Sequence, residues 1–279
     1  MFGGVSVDSI VYKSKSDKFS YSHIYNPTPM RVKHWHHNDH NEILVFMKGN
    51  SKFSVEGTTY FLNPYDTLII RASEMHRVYH LEPATPYERF VYHIPDSFFV
   101  KNDCENLKKI FTARPLGINN LIPSEVVKNH PVMEVLRQTD DLVTKYDTVP
   151  ENVLRGKLVE FLFHLNQLHG KTLKNDYVSD KVREIIMCLN ENLDKKITLD
   201  EIAERFFMSK SRLCHLFKEH TGLTINQYIK QKRFIRVKEL RAEGLSLTDA
   251  CMRAGFGTYS NFYKMYLKEM GKAPREDLK

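Results

Sequence analysis

The chain has 279 residues, of which 42% are hydrophobic and 27% are charged, and its formal net charge is +7. The length accommodates two domains, and the composition is typical of a globular protein rather than a disordered one. No apolar run approaches the roughly 18 residues of a membrane span, and Met1-Phe2-Gly3-Gly4 does not begin a signal peptide, so we expect a cytoplasmic protein without a membrane partner. The basic charge suits a polyanion but does not identify one.

The four cysteines lie far apart and form no C-x-x-C pair. This spacing predicts reduced, mostly buried side chains rather than a disulfide framework or a zinc site. The four are Cys104, Cys188, Cys214 and Cys251.

Short extended segments dominate residues 19–100. Four stretches rich in Ile, Val, Phe and Tyr have the length of strands, and they cover residues 42–47, 51–55, 59–62 and 67–70. Turn signals such as Lys48-Gly49-Asn50 and Asn63-Pro64-Tyr65-Asp66 separate them. Several short strands at this spacing predict a sandwich or a barrel.

A histidine-rich segment, His34-Trp35-His36-His37-Asn38-Asp39-His40-Asn41-Glu42, precedes the first of these strands. It is followed by Gly49, by Pro64-x-Asp66 and by Glu74-Met75-His76. This succession resembles the cupin-type sensor domain of many AraC-family regulators, which implies an effector-binding barrel over residues 1–100. Tyr65 stands where the family's Pro-Gly-Asp turn has glycine, so we expect that turn to survive with altered geometry.

The histidine-rich segment also raises the question of a metal. If residues 36–42 are extended, His36, Asn38, His40 and Glu42 lie on one face because strand side chains alternate. Together with His76 they resemble the N,O-ligand sets that hold divalent metals, and cupin enzymes use a related set. Asn38 takes the place of a second histidine, however, and regulators with this domain usually bind organic ligands without a metal. We therefore expect no metal, no cofactor and no catalysis.

Five residues are our candidates for effector binding: Trp35, His36, His40, Glu42 and His76. An aromatic ring beside a few polar groups is a common way to hold a sugar or a small acid, and a saccharide is the expected effector. The alternatives are a tryptophan that caps the barrel and histidines that hydrogen-bond within its mouth. Arg71 is a weaker candidate, for an anionic effector, because an arginine at a strand end is more often solvated.

Helical periodicity begins beyond residue 100. A short helix is predicted over residues 103–111, and two amphipathic helices over 132–146 and 150–168, with Pro150 at or next to the start of the second. Their apolar stripes pack either on the barrel and on each other or against a second copy of the chain. We assign residues 101–172 to a helical linker that serves dimerisation.

Two helix-turn-helix patterns occupy the region 173–279. In the first, residues 199–206 form a short helix and residues 210–220 a second helix, with Met208-Ser209 between them and Gly222 after them. In the second, a short helix over residues 247–254 is followed by Gly255-Phe256-Gly257 and by a helix that begins at Thr258 or Ser260. The predicted inner face of that last helix consists of Phe262, Met265, Tyr266 and Leu267. A periodic helix over residues 225–240 joins the two patterns.

This arrangement, which ends in G-F-x-x-x-S-x-F and G-x-x-P, resembles the AraC/XylS family of bacterial transcription regulators. The resemblance rests on residues in both patterns and in the joining helix, among them Ile202, Ala203, Ser209, Leu213, Phe217, Gly222, Arg233, Gly255, Phe256, Ser260, Phe262, Gly271 and Pro274. Lys264 departs from the family's usual arginine, which exchanges a bidentate donor for a point charge.

The start of the second helix in each pattern is expected to meet base edges or phosphates in the major groove. The candidate DNA-binding residues are Ser209, Lys210, Ser211, Arg212 and His215 in the first pattern, and Thr258, Tyr259, Ser260, Asn261 and Lys264 in the second. Ser209 and Thr258 have an alternative role as N-caps alone. Two rigid recognition helices on one chain predict an asymmetric site that spans successive major grooves.

We therefore interpret the chain as a two-domain protein that contains α and β structure: an N-terminal cupin-like β-barrel, a helical linker, and a C-terminal all-α domain with two helix-turn-helix motifs joined by a helix. The function expected is ligand-responsive, sequence-specific regulation of transcription. The resemblance implies activation through RNA polymerase and a homodimer. A metal-dependent cupin enzyme or metal sensor fused to DNA-binding helices is the alternative, and a regulator without a ligand is a third possibility.

Overall fold

The computed structural model describes residues 8–29, 39–82, 84–168, 180–271 and 273–277. The chain divides into two compact units, Met1–Val178 and Ser179–Lys279, which we call the N-terminal and C-terminal units. Within the described ranges, no helix combines the length and the apolar character needed to cross a membrane.

The N-terminal unit contains two antiparallel sheets. The larger has the strand order β1-β2-β8-β3-β6-β9 and the smaller has the order β5-β4-β7. The strands are β1 (Asp8–Lys13), β2 (Ser20–Asn26), β3 (Asn41–Lys48), β4 (Ser51–Val55), β5 (Thr58–Phe61), β6 (Thr67–Ile70), β7 (His76–His80), β8 (Tyr87–Ile94) and β9 (Leu121–Ile122). The four strands predicted between residues 42 and 70 are present within one residue at each end.

The two sheets face each other across an apolar core. The large sheet contributes Leu44, Phe46 and Val91, and the small sheet contributes Phe53 and Val78, all of them buried in one cluster. Because strand side chains alternate, the neighbours of these residues on β3 and β8 point to the opposite face of the large sheet.

Helices cover that opposite face. Ile43 and Tyr92 of the large sheet share a second buried cluster with Leu136, Phe161 and Leu162 of the two long helices. The helices of this unit are α1 (Asp96–Lys101), α2 (Lys109–Thr112), α3 (Ser124–Val127), α4 (Pro131–Lys145) and α5 (Glu151–Gln167), with a 3-10 helix at Glu105–Lys108 before α2. The amphipathic stripes of α4 and α5 are thus buried on the sheet and on each other. A further role in dimerisation stays a prediction.

The short helix predicted over residues 103–111 is instead the 3-10 turn followed by α2, and α1 was not predicted. Arg71 binds carbonyl oxygens at the C-terminal end of α2. Its guanidinium donates to the carbonyl oxygens of Phe111 at 2.9 and 2.8 Å and of Arg114 at 2.6 Å. These bonds satisfy carbonyls at a helix end, so Arg71 has a structural role here rather than a solvated one.

A buried ion pair fixes the loop after α2 to the sheets. Arg114 donates to both carboxylate oxygens of Glu74, at 2.7 and 2.8 Å, and both side chains are almost fully buried. The same carboxylate accepts from the backbone N–H groups of Arg71 and Gly117 and from the side-chain amide of Asn120. Burial opposes the charge of Glu74, but these donors keep the pKa of the carboxyl below its usual value.

In the turn between β5 and β6, Tyr65 adopts a backbone conformation that is usual for glycine. Tyr65 has a φ of +76°, and its N–H donates to the Phe46 carbonyl at 2.6 Å. The Asp66 carboxylate accepts from the N–H groups of Asn63 and Ser124. These bonds hold Tyr65 in the left-handed region, which is strained for a residue with a bulky side chain.

The C-terminal unit is entirely helical in its described part. Its helices are α6 (Asp180–Glu191), α7 (Leu199–Arg205), α8 (Lys210–Thr221), α9 (Ile225–Ala242), α10 (Leu247–Arg253), α11 (Tyr259–Met270) and α12 (Pro274–Asp277). The predicted class, a β-rich N-terminal domain followed by an all-α domain, is therefore confirmed.

Arg114→Ala should destabilise the N-terminal unit by about 3–5 kcal/mol, because it leaves the Glu74 carboxylate buried without its cation. Chemical denaturation of the full-length protein measures this effect. Arg137→Ala is the matched control, since Arg137 pairs with Glu134 on the surface of α4, and its removal should change stability by less than about 0.5 kcal/mol. Equal effects of the two variants would contradict a structural role for the buried pair.

Candidate DNA-binding and effector sites

The first helix-turn-helix consists of α7 and α8. Thr198 and Glu201 cap the start of α7 reciprocally, and Ser209 caps α8 by accepting from the Arg212 N–H at 3.2 Å. Leu213 and Phe217 form the buried face of α8. Because the buried face is fixed by packing, the opposite face of α8 is presented to solvent.

The second helix-turn-helix consists of α10 and α11 and uses the same devices. Thr258 caps α11 by accepting from the Asn261 N–H at 3.2 Å, and Gly271, with a φ of +69°, ends it. Phe262 and Tyr266 are fully buried against α9 and α10. The predicted inner face is wrong for two residues: Met265 is 37% exposed and Leu267 is 43% exposed. Two aromatic rings one turn apart, with Tyr259 beside them, fill the space that these residues were expected to take.

The long helix α9 fixes the two helix-turn-helix units to each other. From α9, Arg233 donates to the carbonyls of Leu193 and Lys195, both at 2.8 Å, in the loop before the first unit. Gly255, in the turn of the second unit, has a φ of +87° and packs directly on the same loop. A Cβ at Gly255 would lie 2.2 Å from the Leu193 oxygen and 2.9 Å from Nε of Arg233. The contact therefore requires glycine.

The predicted DNA-binding residues lie on the outward faces of α8 and α11 and at their N-caps. Nine of the ten are exposed, and only Tyr259 is half-buried, where its ring contacts Phe262 and Tyr263. The exposed nine are Ser209, Lys210, Ser211, Arg212, His215, Thr258, Ser260, Asn261 and Lys264.

Besides the two capping residues, three of these side chains already have partners within the unit. Lys210 lies 2.8 Å from Asp200, and His215 lies 3.8 Å from Glu219 on the next turn of α8. The Asn261 amide donates to the Phe256 carbonyl at 3.1 Å, which supports the turn. The first two contacts are exposed and weakly stabilising, so DNA can displace them at little cost.

Cys214 belongs to the same outward face, and it is the one of the four cysteines that is not buried. It follows Ser211 by three residues and precedes Lys218 by four, and such neighbours share one side of a helix. Its side chain is half-buried, whereas Cys104, Cys188 and Cys251 are buried, and all four thiols are free. The spacing from Ser211 was the signal that could have placed it.

In the N-terminal unit, three of the five candidate effector residues, His40, Glu42 and His76, lie in one polar cluster. Glu42 of β3 is buried, and its Oε2 lies 3.5 Å from Nε2 of His76 on β7 and 3.5 Å from Nε2 of His93 on β8. The ring of His40 packs on His93 with 4.4 Å between centroids. His93 was not predicted, yet its side chain is 33% exposed and gives the cluster access to solvent.

The charges in this cluster follow from its contacts. Burial disfavours the charge on Glu42, but His76 and His93 hold the pKa of its carboxyl well below the usual value. Burial likewise opposes a charge on His76, but Glu42 and the Glu74 carbonyl, an acceptor 2.9 Å from Nδ1, raise its pKa. Burial lowers the pKa of His40 to about 4, so its imidazole is neutral. Its Nε2 is buried and finds no hydrogen-bond partner among the described residues.

Two of the predicted effector residues, Trp35 and His36, lie outside the described residues. Within the part of the chain that is described, no group of three or more His, Cys, Asp or Glu side chains has the arrangement of a metal site. The described cluster offers an ionised carboxylate on Glu42, a neutral imidazole on His40 and further ring nitrogens on His76 and His93. Such a mixture of donors and acceptors suits a polar organic ligand.

Comparison with known proteins identifies a ligand-binding domain in the N-terminal unit and a DNA-binding domain in the C-terminal unit. A family model of an AraC-like ligand binding domain matches residues 20–143, and a model of a helix-turn-helix domain matches residues 202–279. The HTH-type transcriptional activator RhaS of Enterobacter sp. (strain 638) is 24% identical over 253 residues, which are 86% of this chain and 86% of that protein. RhaS of Escherichia fergusonii is 25% identical with the same coverage. Among solved structures, ToxT from Vibrio cholerae covers 98% of both chains at 16% identity and a TM-score of 0.38.

A ligand-binding domain followed by a helix-turn-helix DNA-binding domain defines a ligand-responsive regulator of transcription. The chain belongs to the AraC family of transcription regulators. The family membership and the function predicted from the sequence are thereby confirmed.

Gly255→Ala should destabilise the C-terminal unit by about 1–3 kcal/mol more than Gly244→Ala, because only the first adds a clash to the strain of a positive φ. Gly244 is a matched control: it ends α9 with a φ of +94°, and a Cβ there meets nothing within 4 Å. Thermal and chemical denaturation of the two full-length variants measure the difference. Equal destabilisation would show that the Leu193 contact yields when a methyl group is added.

Glu42→Gln should remove a pH-dependent part of the stability. The raised pKa of His76 stabilises the fold fully below its unfolded value of 6.5 and loses this effect as the pH rises through the folded pKa. The lowered pKa of Glu42 stabilises the fold above 4.5 and loses this effect as the pH falls through the folded pKa. The stability difference between parent and variant should therefore be greatest between pH 4.5 and 6.5. A difference that does not change with pH, measured by denaturation, would contradict the ion pair.

Proposed function

We propose that this protein is a homodimeric, cytoplasmic activator of transcription that reads DNA with α8 and α11 and responds to a sugar held in its N-terminal unit. The observation that carries the proposal is the repeated helix-turn-helix geometry, in which both recognition helices begin at a side-chain cap and keep their polar faces exposed. Such helices meet base edges with their first turns.

Arg212 and Lys264 are proposed to be the main cationic contacts of the two helices. Arg212 is exposed in the first turn of α8, where a guanidinium can address guanine O6 and N7. Lys264 is exposed on α11 and suits a phosphate. The hydroxyls of Ser209 and Thr258 retain acceptor capacity while they cap their helices, so capping does not exclude contact with DNA.

A sugar is proposed because of the chemistry of the cluster around Glu42. Each sugar hydroxyl both donates and accepts, and the cluster offers an ionised carboxylate, a neutral imidazole nitrogen on His40 and a donor on His93. Trp35 and His36 are proposed to complete the site. The protein is proposed to bind this ligand without a cofactor and without turning it over.

Dimerisation is proposed to use α5 and the end of α4. Phe163 is 50% exposed and Val153 is 40% exposed on α5, and Tyr146, directly after α4, is 60% exposed. Apolar side chains along one helical region are commonly covered by a second subunit.

Activation by contact with RNA polymerase is proposed from the names of the relatives, which are called transcriptional activators.

The DNA contacts can be tested with a duplex that the full-length protein selects from random sequences. Arg212→Ala should weaken binding by roughly 5- to 150-fold, the range of one base contact, and Lys264→Ala should lower the slope of log K against log salt by about 1. Arg236→Ala is the control, because its guanidinium already pairs with Glu239 on α9 and with Glu243, the residue that follows α9. Parental binding by both test variants, measured by fluorescence anisotropy, would refute the assignment of the reading faces.

The effector can be tested by thermal shift of the full-length protein against sugars, small acids and divalent metals. A sugar at a hundred times its Kd should stabilise the folded state by about 2.7 kcal/mol. Glu42→Gln should abolish this shift, whereas Glu134→Gln, an exposed carboxylate on α4, should not. Stabilisation by Fe, Mn, Zn or Ni alone would favour the metal-dependent alternative, and stabilisation by no compound would favour a regulator without a ligand.

A further inference from the structure

Phe207 is an exposed aromatic side chain on a strained backbone. It lies in the turn between α7 and α8, its φ is +54°, and it is 94% exposed. The left-handed region is unfavourable for a residue with a bulky side chain. The ring gains no burial in return, so folding does not explain why a phenylalanine stands here.

The chain itself shows which residue would fit this position. Helix α7 ends with the Phe207 N–H bonded to the Glu204 carbonyl and the Met208 N–H bonded to the Ala203 carbonyl. The same pair of bonds ends α9 at Gly244 and α10 at Gly255, both with a positive φ. This is the helix ending in which glycine is usual at the left-handed residue. Phe207 therefore occupies a glycine position in the first helix-turn-helix, whereas Gly255 occupies the same position in the second.

The surroundings of the ring point to DNA. Phe207 precedes the cap of α8, Ser209, by two residues, and the cap begins the proposed reading face. Arg205 and Lys210, on either side of it, are exposed cations. An apolar ring flanked by two positive charges is complementary to the edge of a major groove, where phosphates border the methyl groups of thymines.

We propose that Phe207 is a DNA-contacting residue that packs its ring on the 5-methyl group of a thymine at the edge of the site read by α8. This proposal rests on the proposed placement of α8 in the major groove. It explains the strain, because backbone strain is retained where function requires a side chain that folding does not. It also makes the two helix-turn-helix units unequal, since only the first has this ring.

The test uses the full-length protein, the duplex selected from random-sequence DNA, and four variants. Phe207→Gly removes the ring and the strain, and Phe207→Asn removes the ring but keeps a residue that tolerates the left-handed region. Phe207→Tyr keeps an aromatic ring. Arg212→Ala reports separately whether α8 meets DNA.

We expect Phe207→Gly and Phe207→Asn to weaken binding at least about fivefold, the loss of one apolar contact, and Phe207→Tyr to bind like the parent. Phe207→Gly should melt no lower than the parent because the strain is relieved, which separates lost contact from lost folding. Replacement of the contacted thymine by deoxyuridine should weaken the parent and leave Phe207→Gly unaffected.

Parental affinity of Phe207→Gly and Phe207→Asn, with Arg212→Ala weakened, would overturn the proposal and leave the placement of α8 intact. Parental affinity of all these variants would overturn the placement of α8 itself. If Phe207→Gly binds weakly but no deoxyuridine replacement distinguishes it from the parent, the thymine contact is refuted.

Discussion

The carbonyl oxygen of Leu193 is the point on which the C-terminal unit depends. It accepts from Arg233 of the central helix, and it leaves room only for a glycine at position 255. The loop before the first helix-turn-helix, the joining helix and the turn of the second helix-turn-helix therefore meet at one place. Because a Cβ at position 255 would lie 2.2 Å from the Leu193 oxygen, the turn of the second helix-turn-helix packs closely on the loop that precedes the first. Two helices that are proposed to read successive major grooves would need such a fixed spacing.

The N-terminal unit has a comparable dependence on one sheet with two buried faces. Glu42 and His93 point to the inner face, where the polar cluster lies, while their neighbours Ile43 and Tyr92 point to the helices. The ring of Tyr92 lies 4.8 Å from that of Phe161 on α5. A ligand that moves Glu42 or His93 therefore acts on strands that directly support α4 and α5. If the sheet has two conformations, an effector that binds one of them more tightly increases its population and thereby moves the helices packed on the sheet.

The sequence predicted the elements whose signals are local. Strands β4 and β6 and helices α4, α5 and α9 follow from alternation or helical periodicity, and the caps at Ser209 and Thr258 follow from the preference of hydroxyl side chains for helix starts. The candidate site residues were predicted from recognisable motifs, and their contacts with DNA and effector stay predictions.

The features that the sequence did not predict depend on contacts between residues distant in the chain, or on which of several apolar side chains fills the core. His93 joins Glu42 only because β3 and β8 pair, which no local pattern shows. The pair of Glu74 and Arg114 spans 40 residues. Met265 was predicted to be buried together with Phe262 and Tyr266, but these two rings fill the core and leave Met265 exposed. Phe207 was not predicted as a site residue because the feature that marks it is its positive φ, which the sequence pattern does not show.

The proposal that one chain reads two successive major grooves with two fixed helices is best tested by guanine methylation interference on the selected duplex. We expect interference at N7 atoms in two stretches about one helical turn apart on one face of the duplex. We also expect Arg212→Ala to relieve interference in one of the two stretches and to leave the other unchanged, because only α8 carries Arg212. A single stretch of interference, or relief in both stretches by Arg212→Ala, would refute two separate reading helices.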